Sequence, residues 1–149
     1  MTHQELKGAV KQAMKNREEK KLNVLRMLLS AATNELVAKS RKPDEQLSDE
    51  ELLWVISRAA KQRKDSIEQF QKGGRPELAA SEQEELTILE TLLPPQMSRE
   101  EVEQAARAKA AELGVADKSG ANKLMGMLMK ELKGRADGTV VKEIVDKLF

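Results

Sequence analysis

Three helix starts of the same kind constrain the fold of this chain more than any other feature. In each, a Thr or Ser is followed three residues later by glutamate: Thr2 and Glu5, Ser48 and Glu51, Ser98 and Glu101. The hydroxyl accepts from the backbone N–H of the third helical residue, and the glutamate reaches back to the N–H of the capping residue. The pattern therefore predicts α-helices that begin near residues 2, 48 and 98.

Composition extends this prediction to the whole chain. Among the 149 residues, 40% are hydrophobic and 34% are charged, only 2% are aromatic, and Tyr is absent. Strong helix formers dominate over strand formers, so we expect an all-α protein with a core of Leu, Ile, Val, Met and Ala. The absence of cysteine and the single histidine exclude disulfide scaffolds, thiol catalysis and the usual zinc sites. Without an apolar leader or membrane-spanning run, we expect a cytoplasmic protein.

Glycine and proline punctuate the chain into two parts. We expect an N-terminal bundle of about four helices over residues 1–93, a stiff Pro-rich hinge over 94–97 and a three-helix C-terminal domain over 98–149. Gly73-Gly74 ends the third helix, Pro76 lies in the first turn of the fourth, and Pro94-Pro95 stops the fourth. The first predicted helix covers about residues 2–16, and the second follows it and ends near residue 39. The others cover about 48–72, 76–93, 98–113 and 121–133, and the last begins at Asp137-Gly138.

Basic residues cluster on the sixth predicted helix. At 100° per residue, Lys123 and Lys130 lie within about 20° of each other, opposite the Leu/Met stripe, with Lys133 nearby. Arg135 follows in a Gly-rich loop, where the backbone N–H groups of Gly134 and Gly138 are further candidate donors. This group has two interpretations, a patch for phosphates or a solvated helix face, and the second is common in a highly charged chain. The group Arg58, Lys61 and Lys64 on the third helix has the same two interpretations.

Four single residues are harder to place. Arg63 falls inside the apolar stripe of the third helix, so we expect either a carboxylate partner or a wet interface with another molecule. Trp54, on the polar side of that helix, either packs on a neighbouring element or binds a partner. Gly126 predicts close helix packing or the approach of a ligand, whereas His3 is expected to be solvated. Met97, Met125, Met127 and Met129 are expected to fill the core.

Motifs that carry catalysis are missing. The chain has neither a G-x-G-x-x-G fingerprint nor a G-x-x-x-x-G-K-[ST] loop, and nothing around His3 supports a Ser–His–Asp arrangement. Only Trp54, Phe70 and Phe149 are aromatic, too few to stack single-stranded bases. We therefore expect a helical binding module without cofactor or metal, which would contact nucleic acid through its backbone and shape.

Several motifs together resemble the GatB/YqeY family over essentially the whole chain. In the N-terminal part they are L-x-V-L-R-M at 22–27, K-Q-R-K-D-S at 61–66, Phe70, Gly74-Arg75, Glu77-Leu78, Glu82, Glu85, Ile88, Leu93-Pro94 and Gln96-Met97-Ser98. In the C-terminal part they are M-G-x-L-M at 125–129, L-K-G-R-A-D-G at 132–138 and Val141. One departure lies at the hinge, where Leu92 and Pro95 replace the expected Tyr and a polar or basic residue.

The resemblance implies a fold and a class of function. The family fold is a helical bundle followed by a small three-helix domain. The same module forms the C-terminal end of the B subunit of glutamyl-tRNA(Gln)/aspartyl-tRNA(Asn) amidotransferase, where it helps to hold the tRNA while catalysis occurs elsewhere. The resemblance therefore implies a free-standing, non-catalytic tRNA-binding module. The family name would carry the label of a carbon–nitrogen ligase with glutamine as amido donor, but no residue of this chain is identified to perform that reaction.

Three functional hypotheses follow. The first is the tRNA-associated module, with Lys123, Lys130, Lys133, Arg135, Gly134 and Gly138 at the phosphates and Arg58, Lys61 and Lys64 as a secondary surface. The second is a protein-interaction scaffold in translation, which binds its partner through Trp54 and Arg63 or through the acidic segment 77–103. The third is an accessory component of a glutamine-dependent amidotransferase complex.

Overall fold

The computed structural model describes residues 1–149 and contains seven α-helices and no strand. The helices are α1 His3–Lys15, α2 Glu19–Ala38, α3 Asp49–Lys72, α4 Pro76–Thr91, α5 Arg99–Leu113, α6 Ala121–Glu131 and α7 Gly138–Leu148, with a short 3₁₀ turn at Lys118–Gly120 before α6. The prediction of an all-α fold is confirmed.

The predicted helix starts form as capping boxes. The Thr2, Ser48 and Ser98 hydroxyls accept the N–H groups of Glu5, Glu51 and Glu101, and each glutamate accepts the backbone N–H of its capping residue in return. These reciprocal hydrogen bonds satisfy donors that would otherwise remain open at the helix ends. Pro76 occupies the first position of α4, where the missing N–H has no helical partner to lose.

The chain divides into two compact units, Met1–Leu93 and Pro94–Phe149. In the first unit α1 packs on α2, α2 packs on α3 and α4, and α3 and α4 share the largest interface. Its core consists of buried aliphatic side chains, and those with no exposed surface include Leu6, Leu25, Leu28, Leu36, Leu52 and Leu89.

In the second unit α5 and α6 pack against α7 around an aliphatic core that includes Val102, Ala106, Leu124, Leu128 and Val141. The residues of the predicted hinge are anchored in this unit. The Met97 N–H donates to the Arg135 carbonyl at 2.8 Å, and Gln96 Nε2 donates to the Gly134 carbonyl at 2.8 Å. The stretch that follows Pro94-Pro95 is therefore held by the loop between α6 and α7.

The expectation that His3 is solvated is wrong. Its side chain is only 4% exposed, and Nδ1 accepts the backbone N–H of Leu47 at 3.0 Å. Leu47 lies in the loop between α2 and α3 and is itself buried, so the contact fastens that loop to the start of α1. Burial lowers the pKa of His3, and the positive charge of Lys7 lowers it further.

We expect the free energy of unfolding to fall as the pH drops below about 6.5, the ordinary pKa of histidine. The unfolded chain takes up a proton there, while folded His3 stays neutral because its pKa is lowered. One proton limits the slope to about 1.4 kcal/mol per pH unit. Urea unfolding between about pH 7.5 and 5.5 measures the effect. His3→Asn, which keeps an acceptor for the Leu47 N–H but does not titrate, should flatten the dependence; an equally steep fall in this variant would contradict the assignment.

Candidate nucleic-acid interface

Helix α6 has one buried and one solvent-facing side. Leu124 and Leu128 are at most 1% exposed and pack in the core of the second unit. Lys123 and Lys130, on the opposite side, are exposed and form no ion pair. Two ammonium groups one heptad apart thus share a face of one helix and keep their charge unneutralised by neighbours.

The surroundings of this helix keep it positive. Between residues 118 and 135 the chain has five basic residues and a single acidic one, Glu131. Glu131 Oε1 lies 2.6 Å from Lys109 Nζ of α5, which also pairs with Glu112 at 3.1 Å, so Lys109 offsets part of this acidic charge. Arg135 is exposed, and its guanidinium has no acidic partner. We refer to Lys123, Lys130 and Arg135 as the α6 basic face.

Three other predicted members of this site are less available. Lys133 is half-buried and already engaged within the protein. Gly134 is buried at φ +79°, and its carbonyl accepts from Gln96. Gly138 is the first residue of α7, where the Asp137 carboxylate caps the helix by accepting the Thr139 N–H at 2.8 Å. That carboxylate places a negative charge at the helix end where a phosphate would bind. Contacts of these residues with phosphate stay predictions.

One glycine and two methionines of α6 differ from expectation. The prediction that Gly126 permits close helix packing is wrong, since a Cβ atom there would meet nothing within 4 Å. A Cβ on Gly138, in contrast, would lie 3.2 Å from the Met129 side chain. Met127 and Met129 are both 37% exposed, so the expectation that they fill the core is wrong, whereas Met97 and Met125 are half-buried against it.

The basic group on α3 is largely occupied within the protein. The Arg58 guanidinium lies 4.3 Å from the centroid of the Trp54 ring, and its Nη2 is 3.5 Å from Glu35 Oε2. Lys61 and Lys64 are also engaged in intramolecular interactions. Trp54 is 39% exposed and is covered on one ring face by Arg58 in a cation–π contact. These residues are less available to a phosphate backbone than the α6 basic face.

Arg63 has the carboxylate partners that its position demanded. Its Nε lies 2.7 Å from Glu85 Oε2 and 3.3 Å from Glu82 Oε2, both on α4. The N–H is not directed at either oxygen, because Arg63 Nε and Glu82 Oε2 are both buried without a hydrogen bond. The attraction is therefore electrostatic rather than a well-aligned hydrogen bond. A role of Arg63 in binding a partner stays a prediction.

Two arrangements were not visible in the sequence. The Lys109–Glu131 pair joins helices that are separated by a loop, and no local pattern marks it. The contact of His3 with Leu47 spans 44 residues.

No group of three acidic or histidine side chains is placed to hold a metal ion. None of the seven helices has the length and apolar content to cross a bilayer.

Comparison with known proteins identifies related chains. Residues 3–149 match the family model described as Yqey-like protein. The chain is similar to "Altered inheritance of mitochondria protein 41, mitochondrial" of Saccharomyces cerevisiae (strain YJM789), with 31% identity over 132 residues, 89% of this chain and 68% of the relative. The proteins of the same name from Vanderwaltozyma polyspora and Pyrenophora tritici-repentis share 38% identity over 89 residues (59% of this chain, 46% of the relative) and 28% over 133 residues (88% and 71%). The names of these relatives state a mitochondrial location, so a cytoplasmic location for this chain stays a prediction.

Proposed function

This chain belongs to the YqeY-like family, and we propose that it is a non-catalytic tRNA-binding or tRNA-associated module that acts in the cytoplasm. The α6 basic face would contact the phosphate backbone. The observation that carries the proposal is that Lys123 and Lys130 of α6 and Arg135 of the following loop are exposed and have no acidic partner. The motifs over 125–138 resemble the tail of the amidotransferase B subunit, and this resemblance is the reason for proposing tRNA as the ligand.

The charge distribution supports contact with backbone rather than with bases. Lysine and arginine side chains neutralise phosphates whatever the sequence, and binding weakens as salt replaces the released counterions. Phe149 is the single aromatic residue of the second unit and packs against its core, so we expect no stacking on bases. The formal net charge of the whole chain is only +1, so we expect modest affinity that comes from this one face.

Charge reversal tests the assignment. In the 149-residue variant Lys123→Glu/Lys130→Glu, the affinity for bulk tRNA should fall at least about tenfold at low salt, and the slope of log affinity against log salt should decrease by about two. Both lysines are exposed and outside the core, so the fold should be unaffected. Filter binding or fluorescence anisotropy over a salt series gives both quantities.

A matched control changes the same charge elsewhere in the same unit. Lys142 and Lys147 of α7 are exposed and form no ion pair. Lys142→Glu/Lys147→Glu should lower affinity much less than the α6 variant. Equal losses in the two variants would mean that only the overall charge matters, and an unchanged affinity in the α6 variant would remove the site.

A protein-interaction scaffold in translation is the second candidate, and the 39% exposure of Trp54 favours it. A partner that displaced Arg58 from the ring would gain a large apolar contact. A partner that co-purifies after nuclease treatment and is lost in Trp54→Ala would support this candidate. A role as accessory component of an amidotransferase complex predicts amidation of misacylated tRNA that depends on the added chain.

A further inference from the structure

A cleft of about 340 Å³ opens in the first unit beside His3 and Lys7. The start of α1 contributes His3 and Lys7, the middle of α2 contributes Ser30 and Asn34, and Pro43 closes it from the loop between α2 and α3. Its volume lies at the lower end of the range for small-molecule sites. Its wall contains hydrogen-bond donors and one basic side chain but no carboxylate.

His3 presents a hydrogen-bond donor without a protein acceptor. Because Nδ1 accepts the Leu47 N–H, the neutral ring must carry its proton on Nε2. No protein atom accepts this proton, and although the residue is only 4% exposed, Nε2 itself is not fully buried. Because His3 lines the cleft, this accessible N–H can donate to a molecule that occupies it.

Of the other polar side chains of the wall, only the Thr33 hydroxyl is engaged, since it donates to the Leu29 carbonyl at 3.0 Å. Lys7 forms no ion pair, and neither the Ser30 hydroxyl nor the Asn34 amide has a hydrogen-bond partner. Lys7 is the only charged residue of the lining, because α2 and the loop contribute Leu29, Ser30, Thr33, Asn34 and Pro43. An ammonium, an imidazole N–H, a hydroxyl and an amide therefore surround the space with no carboxylate among them.

We propose that this cleft binds a small molecule through an anionic oxygen group, a phosphate or a carboxylate. Lys7 provides the charge, the His3 Nε2–H donates one hydrogen bond, and Ser30 and Asn34 complete the donor set. Charge-assisted hydrogen bonds of this kind are the strong ones in proteins. The cleft lies in the first unit and the α6 basic face in the second, so this proposal and the proposed function fail independently.

Binding should also change the titration of His3. An anion beside the ring offsets the charge of Lys7, one of the two causes that lower the pKa of His3, and accepts the Nε2 proton. The pKa should therefore rise when the cleft is occupied, and affinity should increase as the pH falls toward the pKa of the occupied form. No acidic group of the lining competes with this effect.

The chain has a single histidine, so imidazole NMR signals report this site without ambiguity. Inorganic phosphate, acetate and chloride are titrated into the 149-residue chain at matched ionic strength. A saturable shift with phosphate alone assigns a phosphate site, one with acetate alone a carboxylate site, and one with both a general oxyanion site; chloride should give none. No saturable shift with either oxyanion, or an equal one with chloride, would overturn the proposal.

Two variants separate the cleft from general electrostatics. Lys7→Gln should lower the affinity for the oxyanion that binds by at least about tenfold, since it removes the charged donor. Lys15→Gln removes the same charge from an exposed position of α1 that does not line the cleft and should leave affinity unchanged. Equal affinities of the Lys7 variant and the wild type would contradict the proposal.

Discussion

Replacing Leu124 with alanine is expected to unfold the second unit while the first unit stays folded. Leu124 is fully buried at the centre of a small helical core. Truncation of such a side chain costs about 2–5 kcal/mol, because both apolar contact and a residual cavity contribute. A unit of this size has little stability in reserve, so the loss should exceed or nearly exhaust it.

The two units can be followed separately in the intact chain. Trp54 is the only tryptophan and lies in the first unit, so its fluorescence reports that unit, whereas far-UV circular dichroism reports all helices. The Leu124 variant should lose part of its helical signal, with the fluorescence transition in urea unchanged. Met127→Ala, at a 37% exposed position of the same helix, is the control and should behave as wild type. A fluorescence transition that moves with the helical one would show that the units unfold together.

Replacing Arg63 with methionine should destabilise the first unit by about 2–3 kcal/mol. Methionine can fill the space of the apolar stem, but it leaves the carboxylates of Glu82 and Glu85 without their cation between α3 and α4. The full cost of breaking a buried pair is larger, and the 20% exposure of the Arg63 side chain reduces it because water still reaches the site. The Trp54 fluorescence transition measures the shift.

Two further variants define the cause of that loss. Arg26 is an exposed arginine of the first unit that forms no ion pair. Arg26→Met makes the same change there and should alter the free energy of unfolding by less than about 0.5 kcal/mol. Adding Glu82→Gln and Glu85→Gln to Arg63→Met removes the uncompensated charges and should restore much of the stability. A triple variant as unstable as Arg63→Met would locate the loss in packing rather than in charge.

The elements that sequence patterns predict well here are those fixed by local interactions. The capping boxes at Thr2, Ser48 and Ser98 form because each involves residues only three positions apart. The need of Arg63 for a carboxylate followed from its place in an apolar stripe, but the choice of Glu82 and Glu85 depends on how α3 meets α4. Periodicity predicts which face of a helix is buried and does not identify the residues that it meets.

The candidate sites divide in the same way. The shared face of Lys123 and Lys130 follows from helical geometry, whereas the pairing of Glu131 with Lys109 is a tertiary contact. The burial of His3 was missed because a polar residue at the second position past the N-terminus carries no periodic signal. Its partner Leu47 and the cleft behind it arise only when the loop between α2 and α3 folds over α1.

The central claim, that the α6 basic face binds tRNA through its backbone, is tested most directly by titration of the wild-type chain with bulk tRNA. The titration is run at about 50 and 200 mM salt, with a plain RNA duplex of similar charge as competitor. We predict saturable binding of tRNA that weakens as the salt concentration rises. The duplex should displace bound tRNA less effectively than unlabelled tRNA does. Absent binding, or equal competition by the duplex, would contradict a tRNA-holding function and direct attention to a protein partner at Trp54.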